Sequence, residues 1–132
     1  MDLTDDELAV LRSAFEWARS GDTAQIKQFL DVGGPANLTN ERGDTLLILA
    51  AYHSRVDTVA VLLDAGADVE RVNDNGQTAL GAAVFRRSRE IVGLLLGRGA
   101  DPHAGARSAV SVAEFFQLDD MAALLIEPTR DS

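Results

Sequence analysis

Apolar side chains recur along this chain at the spacing of helices rather than strands. Val56, Val59, Leu62 and Leu63 follow the i, i+3, i+6, i+7 pattern of one helix face. Just before them, Leu46, Leu47, Leu49, Ala50 and Ala51 predict a shorter helix of small residues, with Thr45 near its start. Gly66 can adopt positive φ and stops the second helix. The stretch from Val69 to Gly76 then carries Asn73-Asp74-Asn75-Gly76, a strong turn signal. Both helices are shorter than the roughly 12–15 residues that an isolated helix needs. Their stability must come from neighbours stacked against them.

The same pattern returns 33 residues later. That step carries Gly43 to Gly76, Thr45 to Thr78, Leu47 to Leu80, Ala50 to Ala83 and Val59 to Val92. It also carries Leu62-Leu63 to Leu95-Leu96 and Gly66-Ala67-Asp68 to Gly99-Ala100-Asp101. So many coincidences at one offset identify an array of repeats. A 33-residue unit with a glycine turn, a Thr-led helix, a Leu-Leu helix and a Gly-Ala-Asp ending resembles the ankyrin repeat. The matching segments run from Gly43 to Asp68 and from Gly76 to Asp101, flanked by two degenerate copies. Upstream, Trp17-Ala18-Arg19-Ser20-Gly21-Asp22 with Ile26, Phe29, Leu30 and Gly33 keeps the register; downstream, Ser108 to Ala113 with Met121, Leu124 and Leu125 closes the array.

The resemblance implies an all-α solenoid of helix-turn-helix units joined by β-hairpin-like fingers. It places one domain over residues 1–127, with repeats at 5–37, 40–72, 73–105 and 106–127 and a frayed tail at 128–132. Two departures stand out. The family's Thr-Pro-Leu-His tetrapeptide is replaced by Thr45-Leu46-Leu47-Ile48 and Thr78-Ala79-Leu80-Gly81, so the helices are expected to start less crisply. From Thr78 to Ser108 the step is 30 residues, and the loss falls near Pro102-His103-Ala104-Gly105, predicting a shorter or rearranged last finger. At the N-terminus, Thr4 followed by Glu7 fits a capping box, and the first helix is predicted from Asp5 to about Arg19, with Leu8, Leu11, Ala14, Phe15 and Ala18 inward.

Charge narrows the partner class. Twelve basic against twenty-one acidic residues give a net charge of −9, which repels polyanions and argues against nucleic-acid binding. No apolar run is long enough to span a membrane, and the acidic start, Met1 to Asp6, lacks the basic character of a targeting signal. A cytoplasmic location is expected. One segment departs from the overall sign: between Val84 and Arg107, Arg86, Arg87, Arg89, Arg98 and Arg107 face only Glu90 and Asp101.

Little in the chain points to catalysis. There is no cysteine, and the two histidines, His53 and His103, lie fifty residues apart without the i, i+4 pairing of a metal site. Gly97-Arg98-Gly99 follows a Leu-rich helix instead of a strand and does not form a phosphate cradle. Asn37-Leu38-Thr39 has the form of a glycosylation acceptor but reads as a turn. No enzyme activity, cofactor or metal is expected.

A solenoid instead presents a concave face lined by its fingers and inner-helix ends. By register that face takes Arg19, Tyr52, His53, Phe85, Arg86 and Phe115 from the helix ends, and Glu41, Arg42, Asp44, Asp74, Asn75 and Gln77 from the fingers. Tyr52, Phe85 and Phe115 are expected to form an aromatic ladder, while Phe116 is a candidate for closing the last repeat's core. Aromatic and arginine side chains dominate interface energies. The expected function is therefore that of a monomeric module binding and modulating a cytoplasmic protein that offers an acidic and apolar patch. Two other classes remain open: a hydrolase or transferase using His53 with the finger carboxylates, and a self-associating structural subunit.

Overall fold

The structure, a computed structural model, describes residues 4–130, with side chains placed up to Ile126. Eight helices are found among these residues: α1 (Asp5–Ser20), α2 (Thr23–Asp31), α3 (Leu46–Tyr52), α4 (Val56–Asp64), α5 (Ala79–Phe85), α6 (Arg89–Gly97), α7 (Ala109–Phe115) and α8 (Asp119–Arg130). They stack as four antiparallel pairs in two layers. The inner layer runs α1, α3, α5, α7, and the outer layer runs α2, α4, α6, α8. Alanines at the inner contacts, among them Ala14, Ala18, Ala50, Ala51, Ala83 and Ala113, let these helices approach closely. Larger side chains fill the space between the layers, including Ile26, Leu47, Val59, Leu62, Leu80, Ile91, Leu95 and Met121, all buried.

Each inner helix begins at a hydroxyl cap. Thr4, Thr45, Thr78 and Ser108 accept hydrogen bonds from the backbone N–H groups of Glu7, Ile48, Gly81 and Ser111 at 3.1, 3.0, 3.0 and 3.2 Å. A cap of this kind is worth about 1 kcal/mol, so the absent proline is offset locally. Thr4 and Glu7 complete the predicted capping box, and α1 follows the expected span closely. The turns inside each pair repeat as well. Gly21, Ser54, Arg87 and Gln117 all have positive φ, followed by a residue whose N–H reaches back five positions, as in Arg55 to the Ala50 carbonyl at 2.8 Å. Only the first of these turns uses glycine.

The fingers are tighter than two-stranded hairpins. Asn40 N–H bonds the Asp44 carbonyl and Asn73 N–H bonds the Gln77 carbonyl, each at 3.0 Å, while extended pairing is limited to isolated bridges at Thr39–Thr45 and Gln77–Arg107. The shortened segment lies down on the preceding finger: Arg107 N–H donates to the Gly76 carbonyl at 2.9 Å. Glycine is required there, since a Cβ on Gly105 would come within 2.6 Å of the Gly76 oxygen. Gly81 occupies the position that the resemblance assigns to histidine, and the Arg107 carbonyl lies 3.1 Å from where its Cβ would be. The missing three residues and the missing side chain thus accommodate one another.

Two further expectations meet the structure. Asn37 is a structural linker, its Oδ1 accepting from Asp68 N–H at 2.7 Å and tying two repeats together. The tail expected from residue 128 is partly helical, because α8 continues to Arg130; Asp131 and Ser132, like Met1, Asp2 and Leu3, lie outside the described residues. Pro128 lacks a backbone donor, yet the helix runs two residues beyond it.

Candidate binding groove

Between the fingers and the inner-helix ends runs an open groove of about 650 Å³. Its floor comes from positions three and four after each hydroxyl cap: Ile48 and Leu49 on α3, Gly81 and Ala82 on α5, and Val112 on α7. Nine of the twelve predicted residues line this groove: Arg19, Glu41, Arg42, Asp44, Tyr52, His53, Asn75, Gln77 and Phe85. Asp74, Arg86 and Phe115 do not. Asp74 is exposed, its N–H bonded to the Arg42 carbonyl at 3.0 Å.

The finger wall is held by Asn73, the first residue of the predicted turn and not one of the twelve candidate binding residues. Asn73 is only 7% exposed and uses all of its amide. Its Nδ2 donates to Asp44 Oδ1 at 2.7 Å and Gln77 Oε1 at 2.8 Å, and its Oδ1 accepts from Asn75 N–H at 3.0 Å and Gln77 N–H at 2.9 Å. Asn40 stands 33 residues earlier and closes the first finger in the same way, accepting from Arg42 and Asp44 N–H at 2.9 and 3.0 Å. The recurrence of asparagine at the repeat offset was the signal available in the sequence. Asp44 is therefore a link between two fingers as well as a lining residue.

The opposite wall is aromatic, with a register that corrects the expected ladder. Tyr52 stacks on Phe85 with ring centroids 6.1 Å apart and planes 16° from parallel. The third ring is Phe116, edge-on to Phe85 at 5.2 Å. Counted from the caps, Tyr52, Phe85 and Phe115 are seventh residues and His53, Arg86 and Phe116 are eighth. In the stack, the eighth residue of one repeat leans back over the seventh of the repeat before it. Arg86 accordingly lies over the Tyr52 ring, 5.7 Å from its centroid, in cation–π geometry. Phe116 does the same to Phe85, so it belongs to the groove wall and not to the core. Phe115 is left 80% exposed, with an edge-on contact to Phe116 at 4.9 Å.

The basic run divides by neighbour. Arg87 bonds Asp120 at 2.8 Å, and this donor holds the Asp120 carboxyl below its ordinary range. Arg98 bonds the Leu63 carbonyl at 2.7 Å and Asp64 at 2.5 Å. Both arginines fasten one repeat to the next. Arg107 lines the groove. His53 is half-buried, and its pKa is lowered first by desolvation and then by the positive field of Arg55, Arg19 and Arg86, with Glu16 opposing. Its neighbours are thus mostly cations. No hydrogen bond joins His53 to a finger carboxylate among the described residues, and none of their His, Asp and Glu side chains cluster as a metal site. No helix among them is long and apolar enough to cross a membrane.

Comparison with known proteins agrees with this geometry. A family model described as ankyrin repeats, in three copies, matches residues 15–106. A 45-residue stretch is 49% identical to a Pseudomonas aeruginosa protein named as an ankyrin repeat protein, covering 34% of this chain and 26% of the relative. The match thus spans about a quarter of that relative's length.

Proposed function

The chain belongs to the ankyrin-repeat family, and we propose that it acts as a protein–protein interaction module that binds and modulates a cytoplasmic partner through its groove. Ankyrin repeats are generally interaction modules, which supports the class of function without naming the partner. The observation that carries the reading is the wall of exposed rings, Tyr52, Phe85 and Phe116, set across an open channel from two hydrogen-bonded fingers. Rigid fingers and rings lose little entropy on binding, which favours a surface used for recognition. Arginines beside the rings favour a partner offering an acidic and apolar patch. In this proposal the chain works as a monomer and has no catalytic role. The enzyme alternative draws less support, because the charged groups nearest His53 are mainly arginines and Asp44 is committed to Asn73.

The test is affinity capture from the native cell, with bound proteins identified by mass spectrometry. Wild type is compared with a Tyr52→Ala/Phe85→Ala variant whose circular dichroism and thermal midpoint show it folded. A partner captured by wild type and lost from the variant supports the proposal. A partner retained equally by both refutes it. Light scattering across concentrations tests the monomer.

A further inference from the structure

We propose that the partner docks through an aspartate or glutamate flanked by an aromatic or large aliphatic residue, and that its carboxylate seats on Arg19 and His53 at the Tyr52 end of the groove, with Arg86 reaching it from its place over the Tyr52 ring. This rests on the groove reading above and specifies its chemistry. Three successive helix ends carry cations that surround His53: Arg19 from the last turn of α1, Arg55 from the turn after α3, and Arg86 from the end of α5. All three act electrostatically on His53, and the acidic group facing it is Glu16 on α1. In a chain of net charge −9, this is a local reversal of sign.

The arginines differ in how far they are already committed. Arg55 Nε donates to the Arg19 carbonyl at 2.8 Å, so it braces the cluster from behind. The Arg19–Glu16 pair is 3.6 Å long with both side chains exposed, a geometry that contributes little and opens at little cost. Arg86 lies over Tyr52 and makes no ion pair among the described residues. Arg19 and Arg86 are therefore both free of a strong ion pair, and each can offer its guanidinium to an incoming carboxylate. The stacked faces of Tyr52 and Phe85 begin beside them and offer an apolar rest for the adjoining side chain. An anion joined to an apolar neighbour is what a peptide segment supplies.

Seating the carboxylate also favours the imidazolium form of His53, whose proton is otherwise opposed by desolvation and by Arg55, Arg19 and Arg86, with Glu16 the opposing acid. Binding is then expected to take up a proton and to tighten as pH falls through the histidine range.

The experiment selects a displayed library of random dodecamer peptides on the folded chain and measures enriched peptides by fluorescence anisotropy. Enriched peptides are expected to place Asp or Glu next to Phe, Trp or Leu. Replacing that acid by its amide, or using Arg19→Gln/Arg86→Gln protein, should weaken binding about tenfold. With His53→Gln protein the pH dependence should flatten. Peptides that lose affinity on Phe85→Ala but keep it on Arg19→Gln/Arg86→Gln overturn the carboxylate seat while leaving the groove reading intact. Peptides indifferent to both variants overturn the groove reading itself. Enrichment without acidic residues, or no enrichment, also overturns the seat.

Discussion

Replacing Asn73 by alanine tests the physical basis of the groove most severely. The side chain is nearly buried and makes four hydrogen bonds, two donated and two accepted. Each is worth about 0.5–1.5 kcal/mol net, with the bond to the Asp44 carboxylate toward the upper end. Part of the loss is recovered, because Asp44 and Gln77 border the open groove and can turn to water. The expected destabilisation is about 2–4 kcal/mol, a large share of the roughly 5–15 kcal/mol available to a domain. Urea unfolding followed by circular dichroism should show the midpoint lowered by about 1–2 M. The homologous Asn40 supplies an internal comparison. Its Nδ2 is 3.5 Å from Asp44, so its firm contacts are the two it accepts from backbone. Asn40→Ala should cost about half as much. Asn73→Asp keeps the acceptor but sets a second carboxylate against Asp44, and its cost should shrink in acid, once one carboxyl of the pair takes up a proton. A loss below about 1 kcal/mol for Asn73→Ala, or an equal loss for Asn40→Ala, would refute the reasoning.

Other consequences are open to measurement. Ser54 is exposed and has a φ of 59°, so Ser54→Gly should raise stability by up to about 1 kcal/mol, read from the thermal midpoint. Gly105→Ala should do the reverse by at least about 1 kcal/mol, because its Cβ would meet the Gly76 carbonyl and its φ is 84°. Glu7 is held below its ordinary pKa of 4.5 by the Thr4 N–H and hydroxyl. Its stabilisation is therefore present above pH 4.5 and lost as acid protonates it, so Glu7→Gln should flatten the thermal midpoint between pH 3 and 5. The lowered pKa of His53 has the matching sign for a base: protonation below its ordinary 6.5 opposes folding, and His53→Gln should remove that part of the acid sensitivity.

Much of the fold was legible because a repeat writes its period into the chain. The Thr45–Thr78 and Leu62–Leu95 coincidences identified the stacked helices, and the Thr4–Glu7 spacing located the first helix start. The period alone does not show how one repeat leans on the next. That stagger lies in tertiary packing, which is why Phe115 was expected in the ladder and Phe116 is found there. Identical arginines are equally opaque locally: Arg86 overlies a ring, while Arg87, at the positive-φ turn, points to Asp120 in the next repeat. The groove floor was missed for a different reason. Ile48, Gly81 and Val112 look like core, repeat-variable or cap-adjacent positions until the fingers are placed opposite them.

Amide hydrogen exchange of the chain with and without its captured partner tests the central claim most directly. Added protection is expected at residues 41–44 and 74–77 of the fingers and at the ends of α3, α5 and α7, with the outer helices α2, α4 and α6 unchanged. Protection confined to the outer helices would contradict it.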